Sequence, residues 1–580
     1  MASLYDSASL VMIPSGYKDD KLYSIKPTDG SGDFTFSRDG AGASPATRVN
    51  ASGLIEKGRE NVILQSNTFD TTWFAGGTIS VTGGQSGYDG SNDAWLLDKT
   101  QANAHWRQDF TFDGSVVSYS LYVKKGSLDW VNLNYGGTNS FFDLTNGLTG
   151  ITTAIDSTIE DVGNGWYRCS AVNNYNGVSS VRIYPADGDN DTSGTSGNIY
   201  IQDAQLEAGL VATDYIETTT APVSAGLLGD MPRLDYSGGA TCGSLLLEPS
   251  RVNSVTSSEY FGGSDWSKTN SAVTDNDSTS PEGVQNATSV NPTNTSPSIQ
   301  VYIQKSSLSA GTYTFSVFAK YVNSQYIVLR MNGTGGAIKA FDIQNGTKGS
   351  PTYSNTNDTD IEDYGNGWYR CSMTCTMTSG WAALVYFTTD GNANYTPSLT
   401  DETLIYGAQV ESGSYPTSYI PTYGSASTRG ADDCNNTSAS AIIGQTEGTL
   451  YVEVDFEDND SDGMFMTISD GTSANRLHIG YNYTSDWIYC NVKAANLQQA
   501  LLTSVSPTDG LKKIAVAYKQ NDFVMYINGT QVAADTNANV PTTNRIDIGG
   551  YFSAGFEHPV KQNLLFKTRL TNAELAALTA

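Results

Sequence analysis

The chain has 580 residues, enough for several domains, and its 32 lysines and arginines against 60 aspartates and glutamates give a net charge of −28. That balance argues against nucleic acid and anionic bilayers, both of which need clustered basic residues, and fits solubility, cations or neutral ligands such as sugars. Charged residues make up only 16% while glycine (58) and tyrosine (34) are abundant, the profile of a turn-rich, all-β surface protein.

Residues 1–33 mix short apolar pieces with Pro14, Gly16, Pro27, Gly30 and Gly32. They read as an extended segment without a core of its own, expected to dock on another protein. The start lacks the basic and apolar regions of a signal peptide, and no run of 18 apolar residues occurs. Residues 34–59, with Phe34-Thr35-Phe36-Ser37-Arg38 and Ala46-Thr47-Arg48-Val49-Asn50, read as short strands. Together with residues 221–250 they are expected to form a small β element.

Residues 60–220 and 251–424 read as two copies of one unit. Ile159 to Ser170 and Ile361 to Ser372 match at eleven of twelve positions, differing only at Val162 and Tyr364. Each copy holds Gly-Asn-Gly-Trp-Tyr-Arg-Cys, a tight turn feeding a strand. Its Trp166, Tyr167, Arg168 and Trp368, Tyr369, Arg370 form the repeat signature, the tryptophans being expected inside a sandwich core. Phe315 to Lys320 answers Tyr119 to Lys124, and Ala408-Gln409-Val410-Glu411 answers Ala204-Gln205-Leu206-Glu207. Alternation with turn signals every 8–12 residues predicts antiparallel, jelly-roll-like β-sandwiches.

Residues 425–447 read as a linker and 448–580 as a last sandwich. There Leu450, Val452, Val454 and Phe456 face one way, Gln520-Asn521-Asp522 closes a hairpin, and Thr571 with Glu574 predicts a capping box for one short helix.

Six cysteines (169, 242, 371, 375, 434 and 490) are too few for a disulfide framework, and Cys169 and Cys371 are expected inside cores. Cys371 and Cys375 have no histidine partner nearby, so zinc is not expected.

The Phe34 to Arg38 and Ala46 to Asn50 segments, Pro232 to Tyr236, Leu245 to Pro249 and the two Trp-Tyr-Arg-Cys modules resemble segments of tailed-bacteriophage virion proteins. The modules are also similar to carbohydrate-binding-module sandwiches, and 448–580 resembles concanavalin A-like (laminin-G-like) lectin domains. The resemblance implies a fibre, spike or capsid decoration, docked on other virion proteins through 1–33, assembled as a homotrimer and binding host-surface glycans. It implies a virion location after synthesis in the host cytoplasm.

Tyr481, Tyr483 and Trp487 are the candidate glycan-binding residues. Asp458, Asp460 and Asp462 open like a calcium loop, so Ca2+ is the one cofactor considered; the twelfth position is Ser469, which departs from an EF-hand. Asp187, Asp189 and Asp191 are a second acidic turn. Glu453-Val454-Asp455-Phe456-Glu457 resembles the catalytic strand of retaining concanavalin A-like glucanases, with Glu453 as nucleophile and Glu457 as acid. The small size of the last domain and the charged, edge-like character of its first strand favour a non-enzymatic reading. The three histidines (105, 478 and 558) are scattered, and no nucleophile or nucleotide motif is present.

Overall fold

A computed structural model describes residues 2–40, 42, 44–112, 116–175, 177–305, 309–352, 356–378, 381–388, 391, 395–456, 462–549 and 559–580. The described chain is all-β, built from tandem antiparallel sandwiches, with short helices at Ala2–Ser7 and Asn572–Thr579.

The duplicated units have the same strand order throughout. In the first, one sheet runs Leu148–Thr152, Thr138–Asp143, Trp130–Tyr135, Gly177–Ala186, His105–Phe112, Phe74–Gly76. Its counterpart in the second runs Thr347–Thr352, Ile338–Asp342, Tyr326–Asn332, Trp381–Thr388, Gln300–Lys305, Trp266–Thr269. The facing sheets correspond as completely, from Asp156–Gly163 to Ile79–Gln85 and from Thr356–Asp363 to Ser271–Ser278. Trp166 lies opposite Lys124 and Trp368 opposite Lys320, so the two tryptophans sit on equivalent strands. The turns before them use positive φ at both central residues, 56° and 76° at Asn164 and Gly165, 52° and 79° at Asn366 and Gly367, as an Asn-Gly hairpin requires.

One expectation changes here. Cys169 and Cys371 point into the cores between the sheets, and residues three apart on a strand face opposite ways. Trp166 and Trp368 are therefore buried, at 1% exposure, on the outer faces of their sheets. Each face is covered differently. Tyr88 of the first unit folds over its own face and stacks on Tyr122 at 3.9 Å. In the second unit Ile55, from the sheet Thr47–Val49, Ile55–Asn61, Val223–Gly226, packs with Phe318, Trp368 and Tyr406.

The remaining chain forms a base with an eight-stranded and a nine-stranded sheet, and its make-up revises the expected boundaries. Residues 2–33 are not an extended segment without a core. Leu10–Met12 pairs with Val560–Phe566, Lys21–Leu22 pairs with Phe34–Ser37, and Leu10, Met12 and Leu22 lie in the base core. Phe34–Ser37, Arg233–Asp235 and Ser244–Leu246 also join the base rather than a separate small element. Residues 425–447 are no linker either: Asp433–Asn436 is a strand of the nine-stranded sheet, and Cys434, Ile442 and Ile443 are core residues. The physical reason is common to all three segments. Each contributes only a handful of apolar side chains, too few to fold alone but enough to complete a sheet whose other strands lie far off in sequence. Both duplicated units are thus looped out of a base that the chain enters at the start, between the units and at the end. Leu450, Val452, Val454 and Phe456 line the base core as expected, and the Thr571–Glu574 capping box is formed.

Candidate functional site

The outer face of the nine-stranded sheet carries a groove of about 320 Å³. Four neighbouring strands build it: Gly463–Ser469, Arg476–Asn482, Trp487–Ala494 and Leu497–Thr503. Alternation sends Leu477, Ile479, Tyr481, Ile488, Cys490 and Val492 into the core. The intervening Arg476, His478, Asn482, Trp487, Tyr489 and Asn491 line the groove, with Met464, Ser485 and Leu501 completing it. His478 lies opposite Asn491 and Gly480 opposite Tyr489 in the register. Gly480 keeps the floor open, since a Cβ there would meet Gly463 O at 2.5 Å and the Tyr489 hydroxyl at 3.4 Å.

The floor has unused hydrogen-bonding capacity. His478 is 2% exposed, and its Nε2 sits 3.2 Å from the Tyr489 hydroxyl, yet Nδ1 has no partner. Arg476 Nε and Asn491 Oδ1 are likewise buried and unpaired. Buried polar atoms are almost always hydrogen-bonded, so three together mark a surface suited to a polar ligand. Burial, reinforced by Arg476 and Lys493, pushes the His478 imidazole down to about 3, so it is neutral at physiological pH. Trp487 and Tyr489 add aromatic surface beside these atoms, the combination on which sugar rings stack while their hydroxyls are bonded.

Of the residues singled out from the sequence, the groove uses Trp487. Tyr481 is a core residue at 1% exposure, its ring edge on Phe456 at 4.8 Å and its hydroxyl donating to Asp486. It stands one residue out of phase with the groove face, which corrects its reading as a ligand contact. Tyr483 is exposed on the hairpin between two groove strands, its N–H donating to Asp462 at 2.8 Å. Arg476, His478, Tyr489 and Asn491 were missed, although Arg-x-His and Trp-x-Tyr-x-Asn on adjacent strands are the alternation that reveals such a face.

Asp458, Asp460 and Glu457 lie outside the described residues, and among the described residues no cluster of three metal-ligating side chains occurs. Asp187 is paired with Lys99 at 2.6 Å, Asp189 accepts from Ile151 N and Asp191 from Ser193, so that turn is held by protein donors. Glu453 lies on Glu447–Phe456, a central strand flanked by Val560–Phe566 and Gly510–Lys519, which corrects its reading as an edge. Its carboxylate accepts from the Tyr451 hydroxyl at 3.0 Å, and Tyr451 packs in a cluster with residues of both terminal helices.

No protein-family model and no curated protein matches the chain. Among solved structures it is similar to the CBM40 domain of Ruminococcus gnavus IT-sialidase bound to alpha2,3 sialyllactose, at 13% identity over 24% of this chain and 86% of that one, TM-score 0.22. It is similar to the tandem CBM22 domains of Paenibacillus barcinonensis Xyn10C, at 13% identity over 61% and 97%, TM-score 0.20. Mouse laminin alpha1 domains LG4-5 align at 11% identity over 48% and 90%, TM-score 0.19. At these identities and scores the likeness assigns no ligand and no residue.

Proposed function

We propose that this chain is a non-catalytic glycan-binding protein that engages sugar in the groove of its base sandwich. The observation carrying this reading is the pairing of Trp487 and Tyr489 with the unpartnered polar atoms of Arg476, His478 and Asn491. The sequence resemblance to tailed-phage proteins supports a setting on the virion as fibre, spike or decoration, contacting host-surface glycans and other virion proteins as a homotrimer. With residues 10–22 folded into the base, attachment to a particle falls to the base surface rather than to a free N-terminal tail.

The whole protein on a glycan array, beside Trp487→Ala, tests the binding reading. Retention of selected glycans by the native chain, lost in the variant with the fold intact, is the expected result. An array without a bound glycan, or equal retention by the variant, overturns it. Labelling particles with antibody to this chain tests the virion setting, and light scattering tests the trimer. A glycosidase would show itself as shortened polysaccharide after incubation, with loss in Glu453→Gln.

A further inference from the structure

We infer that the groove is built for a glycan carrying a carboxylate, an inference that rests on the glycan-binding reading above. Arg476 and Lys493 stand directly opposite each other in the antiparallel register, on the groove side of the sheet. Like charges placed opposite each other destabilise a sheet. Two other cations of the base are relieved by nearby acids: Arg545 is paired with Asp547 and Lys561 with Asp455. Among the described residues neither Arg476 nor Lys493 has an ion-pair partner. In a chain of net charge −28 this end of the groove is therefore a local concentration of positive charge, left uncompensated by the protein. His478, kept neutral first by burial and then by these two cations, lies between them and Tyr489.

A carboxylate completes this arrangement. Arg476 offers Nε and a neighbouring Nη as a fork, the geometry that holds two carboxylate oxygens at once, and Nε is unpaired. Lys493 adds a second positive charge beside it. The sugar hydroxyls then meet His478 Nδ1 and Asn491 Oδ1, and the ring lies against Trp487. The opposite end has the other sign: Asp462, whose carboxylate accepts from Tyr483 N, acts on Tyr489 there. That polarity fixes direction, placing the acid group at the Arg476 end.

The test is an array of matched pairs in which uronic-acid and sialic-acid oligosaccharides stand beside their carboxyl-reduced counterparts, probed with the full chain. The acidic member of each bound pair should be retained about tenfold or more over its reduced partner, and the preference should shrink as salt rises. Arg476→Gln and, separately, Lys493→Gln should bring the pair members together, while Trp487→Ala removes binding to both. Equal or stronger retention of the reduced members by the native chain overturns the carboxylate assignment and leaves glycan binding standing. Absence of retention on every pair and on the neutral array overturns both.

Discussion

Asn61 and Asn253 occupy equivalent places at the entry to the two duplicated units and make the same four hydrogen bonds. Asn61 donates to Ala204 O and Ile216 O and accepts from Ile63 N and Leu206 N. Asn253 donates to Ala408 O and Ile420 O and accepts from Val255 N and Val410 N. Both side chains are at 0% exposure. Each stitches the incoming strand to the central strand and to the segment leaving the unit. Asn253→Ala leaves four backbone groups without partners, each costing about 1–3 kcal/mol when buried. A loss of about 3 kcal/mol or more is expected in urea unfolding followed by tryptophan fluorescence. The effect of Asn61→Ala should add to it, since the sites share no partner. A loss below about 1 kcal/mol would contradict this role.

Lys57 ties the small sheet to the second unit. Its ammonium lies 2.7 Å from both Glu259 and Glu282 and 3.1 Å from the Tyr406 hydroxyl, with all three charged side chains nearly inaccessible. Lys57→Met strands the buried Glu259 carboxylate, while Glu282 keeps Arg59, and breaking a buried pair costs about 3–5 kcal/mol. The variant should melt well below the native chain by calorimetry. A melting temperature unchanged within a degree would contradict this role for the Lys57–Glu259 pair.

The duplication was legible because the Asn-Gly-Trp-Tyr-Arg-Cys stretch is a local signal: turn, strand and repeat are all written within twelve residues. The Ala-Gln-Leu/Val-Glu motif was equally visible, and its reason is structural. Glu207 and Glu411 accept from Thr213 and Thr417, while Gln205 and Gln409 accept from Ile216 N and Ile420 N, pinning the chain as it leaves each unit. The base was not legible. Its sheets unite Leu10, Leu245, Cys434 and Leu565, brought together by long-range pairing that leaves no mark in any short window. The groove was half legible. Trp487 announces itself by type, but Tyr481 and Tyr489 are indistinguishable by composition, and only strand phase separates core from ligand face.

That phase difference makes a direct prediction. Tyr481→Ala removes a core ring and should cost about 3–5 kcal/mol of stability, the range for large aromatic deletions. Tyr489→Ala, on the outer face, should cost far less and should weaken glycan retention. Denaturation and glycan binding measured on both variants separate the two roles. Equal stability losses would contradict the placement of the two tyrosines on opposite faces of the sheet.

Asp203 introduces a pH dependence at a position where the second unit has no acid. It sits at the β-bulge of its strand with φ 53°, where the second unit has Gly407 at φ 56°. Asp203 is 6% exposed, and its carboxyl receives the Tyr88 hydroxyl at 3.0 Å and has no lysine or arginine partner among the described residues. Burial, with Asp93 and Asp89 nearby, pushes it up to about 7. A carboxyl raised in the fold binds its proton more tightly there than in the unfolded chain. The folded state then gains stability below the unfolded value near 4 and loses it as pH rises from about 4 to 7. Asp203→Asn keeps the acceptor for Tyr88, tolerates the positive φ and removes the titration. The variant should therefore be more stable than the native chain at pH 8, by as much as a few kcal/mol, and the gap should close towards pH 4. Urea midpoints measured from pH 4 to 8 on both proteins check the sign. A gap independent of pH would mean that Asp203 is already charged in the fold at pH 5, with its charge met by some other group.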